Sequence, residues 1–405
     1  MSVSTRAGVT ATATAAMAAS TLPLYGVSAL GPVLVEELDL SRLQLGSLVA
    51  VTIGAAASLS MAAGRLIDRI GARGGLLGLA AVVAATLVAA SFAGSYPWLL
   101  AALAVAGIGQ ALANPATNVL IRARVPVPGD GTAVGLKQSG VQLSALLSGA
   151  ILPSVAVAHG WPWALRTAAL AVVPVFVAAL RVRSPRPPVR VARRRRLPSW
   201  LFRLALFCFV LAAANAAVAT YLPLFAAQDL GYRDRLAGGV LACFGAAGVL
   251  GRVWWSQRAA GRPGRRPATM LTALSAAAAV CAIPLALATV PHWGALVWVG
   301  ALGVGVSATA AYAVAMLDVI RNAGADTGRA SGLVSIGFFL GFAAGPLAFG
   351  LLTSHAGYRP GWIVVVLTLA AAAVAGLPLR RLPPSGPQHA DAPSQPDRAV
   401  PRRPR

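Results

Sequence analysis

The sequence predicts an all-α membrane protein in which twelve transmembrane helices form two pseudo-symmetric six-helix bundles. Three observations carry this prediction. First, the 405 residues are 57% hydrophobic and only 11% charged, with a mean hydropathy of +0.73. Second, apolar runs recur along the chain, each of about the twenty residues that a helix needs to cross a bilayer about 30 Å thick. Third, an internal repeat relates the two halves of the chain.

The apolar runs favour helices over barrel strands because Ala, Leu, Val and Gly dominate them and period-two alternation is not evident. The first run is too long for the core of a cleaved signal peptide, so we expect it to be a retained span. The twelve predicted spans are 8–35, 45–66, 74–94, 97–121, 131–157, 161–181, 199–226, 236–257, 268–290, 293–318, 328–354 and 360–379.

The basic residues that give the formal net charge of +23 lie mainly in the gaps between the spans. If the amino terminus is cytoplasmic, only five of the 34 basic residues fall in the outer gaps, and Arg252 is counted among the inner ones. The five are Arg42, Arg166, Arg233, Arg235 and Arg359. This bias predicts a multi-pass protein of the plasma or bacterial inner membrane with both termini in the cytoplasm. No gap is long enough to fold a basic domain, so the expected partner is the lipid bilayer and not nucleic acid.

The composition also divides the chain. We expect an N-terminal six-helix bundle at 1–181, a cytoplasmic basic linker at 182–198, a C-terminal six-helix bundle at 199–381 and a disordered cytoplasmic tail at 382–405. The linker and the tail are rich in Pro and Arg and lack apolar periodicity. We expect the protein to be a monomer.

The two halves carry matching rows of small residues. Three of them stand four apart in the fifth span, and the residues 197 positions later in the eleventh span are also small. The two rows are Gly140, Ser144 and Ser148, and Gly337, Gly341 and Gly345. Small residues at this spacing let helix backbones approach closely in lipid, so both rows are predicted to be helix contacts. Duplicated six-helix halves are one design for transporters that alternate access around a central site.

A short charged stretch, "GRLIDRIGAR", joins the second span to the third at residues 64–73. It contains Gly64, Asp68, Arg69, Gly71 and Arg73. This pattern resembles the signature of the major facilitator superfamily, which has Gly, three residues, Asp, a basic residue, one residue, Gly and a basic pair. Ala72 replaces the first member of the basic pair.

The resemblance covers essentially the whole chain and implies the fold of that family and a secondary active transporter that moves a small-molecule solute by alternating access. In the family this stretch is a cytoplasmic latch that holds the outward-facing form, so the five residues named above would be the latch here. In the second half Ala260 stands where Asp68 would fall, which implies a weak or absent latch there. No phosphate-cradling loop is present, so we expect no nucleotide or other cofactor and no metal.

Lys137 is the only lysine and lies about two turns into the fifth span, beside Gln138 and Gln142. Two interpretations stay open. The ammonium either reaches back to the cytoplasmic interface as an anchor or faces the cavity and attracts an anionic or polar solute. The Lys-Gln-Ser-Gly stretch is similar, over this short length, to the branch of the family that contains cyanate, nitrate and nitroimidazole transporters.

Other polar residues lie within predicted spans, and each either lines a cavity or bonds a neighbouring helix. They are Tyr25, Asn114, Asn118, Asn215, Tyr221 and Tyr312. No acid is predicted in mid-membrane, and Leu103 occupies the place of an Arg that is common in the family's fourth helix. These two departures leave open whether the coupling ion is a proton.

Three functions are compatible with these residues. Transport of a small polar or anionic compound follows from Lys137 and the missing buried acids, and multidrug efflux follows from the apolar walls. A membrane-embedded enzyme is the third. Its chemistry needs paired acids, and the adjacent Glu36 and Glu37 would point about 100° apart on a helix, so we expect a transporter and not an enzyme.

Overall fold

The computed structural model describes residues 6–124, 130–182, 198–261, 267–291, 293–322 and 327–380. These residues form thirteen α-helices and one 3-10 helix, and no strand occurs among them. The helices are α1 (Arg6–Ala29), α2 (Gly31–Glu37), α3 (Arg42–Ala90), α4 (Tyr96–Arg124), α5 (Asp130–His159), α6 (Trp161–Leu170), α7 (Val173–Leu180), α8 (Ser199–Gln228), α9 (Asp234–Ala260), α10 (Leu271–Leu287), α11 (Leu296–Asn322), α12 (Thr327–Ala356) and α13 (Tyr358–Arg380), with the 3-10 helix at Pro267–Met270. The predicted tail at 382–405 and all but the end residues of the predicted linker at 182–198 lie outside the described residues.

The described helices account for twelve spans. Ten segments are long and apolar enough to cross a membrane, and the pair α1 and α2, bent by 58°, forms an eleventh. The twelfth arises because α3, which is 49 residues long, counts only once among the ten and contains two spans. The predicted all-helical fold class is confirmed, whereas the predicted loop between the second and third spans is reduced to a break at one residue.

That break is at Gly71, whose φ of 74° and ψ of 176° are not helical. Gly107 of α4 approaches the carbonyl oxygen of Thr52, and two residues later Gly109 approaches Val83. In one straight helix Thr52 and Val83 would lie roughly 46 Å apart, at about 1.5 Å for each of 31 residues. The chain therefore folds back at Gly71, and a positive φ is the conformation that glycine adopts without strain.

Other breaks in the spans have local causes in the sequence. Pro32 stands at the start of α2, and Pro174 at the start of α7, where a missing backbone N–H costs no helical hydrogen bond. Ser41 begins α3 with a capping box, because its hydroxyl accepts from the Gln44 amide while the Gln44 side chain accepts from the Ser41 amide.

The repeated rows of small residues lie at equivalent helix contacts. In the first half, a Cβ at Gly140 of α5 would overlap the carbonyl oxygen of Thr14 in α1. In the second half, Gly337, Gly341 and Gly345 of α12 face the carbonyl oxygens of Ala205, Phe209 and Ala213 in α8 so closely that a Cβ would overlap each one. Ser144 and Ser148 are buried in α5. The first and fifth spans thus pack as the seventh and eleventh do.

The contact between α3 and α12 is closed at one end and open at the other. At the closed end a Cβ at Gly46 would lie 2.5 Å from the Pro346 carbonyl oxygen, and one at Gly350 would lie 2.8 Å from the Arg42 carbonyl oxygen. Residues 64 and 332 each lie 18 positions away, which is five helical turns, so they face the same side as residues 46 and 350. No described atom comes within 4 Å of a Cβ at either Gly64 or Gly332. The two helices therefore diverge toward Gly64.

The contact between α5 and α9, which also joins the two halves, persists along the helices. A Cβ at Gly149 would lie 2.5 Å from the carbonyl oxygen of Gly238, and one at Gly135 would touch Ser256 at 3.4 Å. The two halves thus stay together along α5 and α9 while α3 and α12 separate at one end.

Candidate functional site

A cavity lies at the centre of the molecule, between the two halves. It holds about 510 Å³ of empty space, including the part that is open to solvent, and receives side chains from α1, α3, α4, α5, α8, α9, α11 and α12. Its lining residues are Met17, Thr21, Leu24, Tyr25, Ile53, Gln110, Asn114, Gln138, Val141, Asn215, Arg252, Tyr312, Phe338, Phe339 and Phe342. A mainly apolar wall with few polar groups is typical of small-molecule sites.

Arg252 supplies the one cation among these lining residues, and none of them is an acid. Its side chain is 2% exposed and donates from Nη1 to the carbonyl oxygen of Gln138 at 2.5 Å. The Nε atom is buried without a hydrogen-bond partner in the described part of the chain. The sequence-based topology counted this residue among the cytoplasmic gap arginines, and the structure corrects that assignment. Arg252 lies eight residues before the end of α9 and points into the cavity.

Lys137 is also buried, with 1% of its side chain exposed. Its ammonium donates hydrogen bonds to Oδ1 of Asn114 at 3.1 Å and to Oδ1 of Asn118 at 2.7 Å. Both amides belong to α4, so the lysine joins α5 to α4. Lys137 is buried and is absent from the cavity-lining residues named above. Lys137 contacts the cavity only through Asn114.

The other polar candidates fall into two groups. Tyr25, Asn114, Gln138, Asn215 and Tyr312 line the cavity, and within the described residues the Tyr25 hydroxyl and Asn215 Oδ1 are buried without partners. Asn118, Gln142 and Tyr221 are absent from the lining. The Gln142 side chain instead lies against α9, where a Cβ at Gly248 would be 2.8 Å from its Cγ atom.

Tyr221 belongs to a cluster that closes one end of the molecule. Its hydroxyl lies 2.6 Å from the carbonyl oxygen of Arg42 and 3.0 Å from that of Pro346. The Arg42 guanidinium donates to Gln228 Oε1 at 3.0 Å and stacks 4.2 Å from the centre of the Tyr358 ring. These contacts join α3 to α8, α12 and α13, and we refer to Arg42, Tyr221, Gln228, Pro346 and Tyr358 as the closed-end cluster.

The five motif residues lie at the opposite, open end. Gly71 makes the turn described above, Gly64 contacts no described residue of α12, and the side chains of Asp68, Arg69 and Arg73 are exposed. Asp68 forms no ion pair with any residue that the structure describes. The stretch therefore lies where α3 and α12 diverge.

Comparison with known proteins decides the family. The sequence profile described as "Major Facilitator Superfamily" matches residues 9–328, which is most of the chain. The chain belongs to the major facilitator superfamily. It is accordingly a multi-pass membrane transporter that binds a small-molecule substrate. No curated protein sequence matches it significantly.

Solved structures of the superfamily share this fold. One is the crystal structure of a bacterial homolog to the human lysosomal transporter Spinster, in an inward-facing and unoccupied conformation. It matches with a TM-score of 0.68 and 15% sequence identity, over 93% of this chain and 97% of that chain. At this identity the likeness shows the fold alone.

Two features of the cavity were not predicted from the sequence. Arg252 was overlooked because it lies near the predicted end of a span, at a depth that the position in the sequence does not fix. The aromatic side chains of α12 were overlooked because Phe residues are ordinary in membrane spans. A usable signal was the group "FFLGF" at 338–342, where three Phe residues accompany a glycine contact face on one helix.

Proposed function

We propose that this chain is a secondary active transporter that moves a small anionic or strongly polar solute by alternating access. The observation that carries the proposal is the charge of the cavity, because Arg252 lines it and no acid is found among the lining residues. The second buried cation, Lys137, lies outside the lining and donates a hydrogen bond to the lining residue Asn114.

The physical argument starts from the cost of burying charge. An ionisable residue inside a membrane span is costly, and it is retained where it pairs or serves a pathway. The Arg252 guanidinium has a backbone carbonyl as its described partner, and it forms no ion pair with a carboxylate in the described part of the chain. An anionic solute in the cavity would supply the missing charge and would accept from the unpartnered Nε atom.

Orientation in the membrane belongs to the same proposal. The arginine distribution supports a plasma or inner membrane location with both termini in the cytoplasm, so the open end near Gly64 would face the cytoplasm. Residues 1–181 and 199–381 would then move as two bundles. In a variant with Cys208, Cys243 and Cys281 replaced, a membrane-impermeant maleimide should label Asp39→Cys and not Arg69→Cys in intact cells. The reverse labelling would overturn this orientation.

The solute class is tested by ligand-induced thermal shifts of the purified protein, since a ligand that binds the folded state raises its apparent stability. Small anions, sugars, amino acids and drugs form the panel. We expect anions to raise the Tm of the wild type, and Arg252→Gln to abolish the shift. Arg258→Gln, an exposed arginine six residues later on the same helix, is the matched control.

Two outcomes would contradict the proposal. One is a panel in which only neutral or cationic compounds stabilise the wild type. The other is an anion shift that Arg252→Gln and Lys137→Ala both leave unchanged.

The aromatic wall favours multidrug efflux as a second function. Phe338, Phe339 and Phe342 offer apolar surface for drug-like compounds. Expression in a strain that lacks its own pumps should then raise resistance to neutral or acidic drugs, because Arg252 disfavours cations. Unchanged resistance to every compound would exclude this function.

A further inference from the structure

The two halves of the chain contribute different side chains to the cavity. The first half contributes five polar and four apolar residues, none of them charged: Met17, Thr21, Leu24, Tyr25, Ile53, Gln110, Asn114, Gln138 and Val141. The second half contributes Arg252 and, beside it, an aromatic wall of Tyr312, Phe338, Phe339 and Phe342, with Asn215 from α8. A solute that matches both Arg252 and the aromatic wall needs a charged end and an apolar body.

The aromatic wall is organised around one ring. Phe338 stacks on Tyr312 with centroids 3.9 Å apart and an interplanar angle of 30°. It also contacts Phe339 at 6.0 Å and Phe342 at 5.4 Å. Phe339 and Phe342 are 6% and 5% exposed, whereas Phe338 is only half-buried. Phe338 therefore has ring surface left to offer to the cavity, and its ring orientation is held by three aromatic neighbours.

The charge of the cavity limits the charge of the solute. Arg252 is its only lining cation in the described residues, and Lys137 is engaged by two α4 amides outside the lining. One guanidinium without an acid matches one negative charge. A guanidinium also presents its donors in a plane that matches a carboxylate.

On the basis of the proposed function, we propose that the solute is an aromatic monocarboxylate, with its carboxylate on Arg252 and its ring on Phe338. The stacking of Phe338 on Tyr312 would then continue onto the ring of the solute. The Tyr25 hydroxyl and Asn215 Oδ1, both buried without described partners, would receive polar substituents.

Four probes separate the charge from the ring. Benzoate has both features, benzamide keeps the ring and shape without the charge, cyclohexanecarboxylate keeps the charge with a saturated ring, and acetate keeps the charge alone. Binding of each to the purified full chain is measured by thermal shift and by calorimetric titration. We expect benzoate to bind most tightly and each of the other three to bind at least about threefold more weakly.

Variants locate the binding. Phe338→Leu should weaken benzoate binding about two- to tenfold and leave the weaker binding of cyclohexanecarboxylate nearly unchanged, because only the aromatic contact is lost. Phe202→Leu is the matched control, since Phe202 is 57% exposed on α8 and lies outside the cavity. Arg252→Lys should retain part of the benzoate affinity that Arg252→Gln loses. Size-exclusion profiles show which variants are folded.

The outcomes distinguish this inference from the proposed function. Equal affinity for benzoate and cyclohexanecarboxylate, or for benzoate and acetate, would overturn the aromatic inference and leave an anion transporter. Equal affinity for benzoate and benzamide would overturn the proposal that the solute is anionic. A protein that binds other anions and none of the four probes at concentrations up to about 10 mM would also overturn the aromatic inference.

Discussion

Gly46 in α3 faces Tyr221 in α8 so closely that a Cβ at residue 46 would lie 2.5 Å from the tyrosine hydroxyl. The same hydroxyl is within hydrogen-bonding distance of two backbone carbonyl oxygens, one in α3 and one in α12. Three helices from both halves of the chain thus meet at one oxygen atom. Because residue 46 has no side chain, α3 can pack this closely against α8 and α12.

Gly46→Ala should therefore weaken the closed end. The added Cβ meets the Pro346 carbonyl oxygen at 2.5 Å, and backbone moves less readily than a side chain. Overpacking of this kind costs about 1–3 kcal/mol. The measurement is the rate at which a maleimide labels Thr353→Cys, a buried residue in the closed end, in a background without the native cysteines. We expect faster labelling.

Gly54→Ala is the control for this variant. Gly54 lies in the same helix, and no described atom is within 4 Å of its Cβ position. It should leave the labelling rate of Thr353→Cys unchanged. Equal effects of the two substitutions would show that helix propensity, and not the contact with α12, explains the result.

Tyr221→Phe should also loosen the closed end, because it removes the hydroxyl that bonds the Arg42 and Pro346 carbonyl groups. A lost hydrogen bond costs about 1 kcal/mol, which is about a fivefold shift in the conformational equilibrium. Combined with Gly46→Ala, the effects on Thr353→Cys labelling should be less than additive, since the phenyl ring no longer places an oxygen against the new Cβ. Strict additivity would contradict the contact between residues 46 and 221.

The sequence predicted the helical class, the number of spans and the repeat because each depends on local properties. The length of an apolar run decides whether it can cross a bilayer, and small residues four apart decide which face packs closely. The rows at Gly140 and Gly337 could therefore be read from spacing alone.

The site was less predictable because it depends on how deep each residue lies in its helix bundle and on the direction in which its side chain points. Arg252 looked like a residue of a cytoplasmic gap, whereas α9 continues to residue 260 and packs on α5, so the guanidinium is carried inward. Lys137 could not be placed because the choice between cavity and wall rests on the rotation of α5 relative to α4. Tyr221 was a reasonable cavity candidate, but its contact with Arg42 spans 179 residues of sequence.

Asn114 and Asn118 should differ in effect although both accept from Lys137. Asn114 lines the cavity, so Asn114→Ala removes a wall contact and one of the two hydrogen bonds of the ammonium, and the apparent affinity for the solute should fall on the order of tenfold. Asn118 is outside the lining, so Asn118→Ala should lower the Tm and leave the affinity almost unchanged. Calorimetric titration and thermal unfolding of both variants test this. Equal losses of affinity would show that both amides contact the solute.

Gly341→Ala should destabilise the second half of the molecule. A Cβ at this position overlaps the Phe209 carbonyl oxygen, so α12 must move away from α8. The expected cost is about 1–3 kcal/mol, seen as a lower Tm in detergent. The matched control is Gly332→Ala in the same helix, which meets no described atom within 4 Å and should leave the Tm unchanged or slightly higher. A similar Tm for both variants would contradict the packing of α12 on α8.

Asp68→Asn should change the rate of transport without changing the thermal stability. The side chain is exposed at the open end and forms no ion pair with the described residues, so the substitution should not change the Tm. If the latch predicted from the family resemblance acts when α3 and α12 meet at this end, the same substitution should slow solute exchange in proteoliposomes and speed labelling of Val141→Cys in the cavity. Asp39→Asn is the control, because Asp39 is an exposed acid at the other end and Asn tolerates its φ of 49°. A lower Tm, or exchange as fast as in the wild type, would remove Asp68 from the latch.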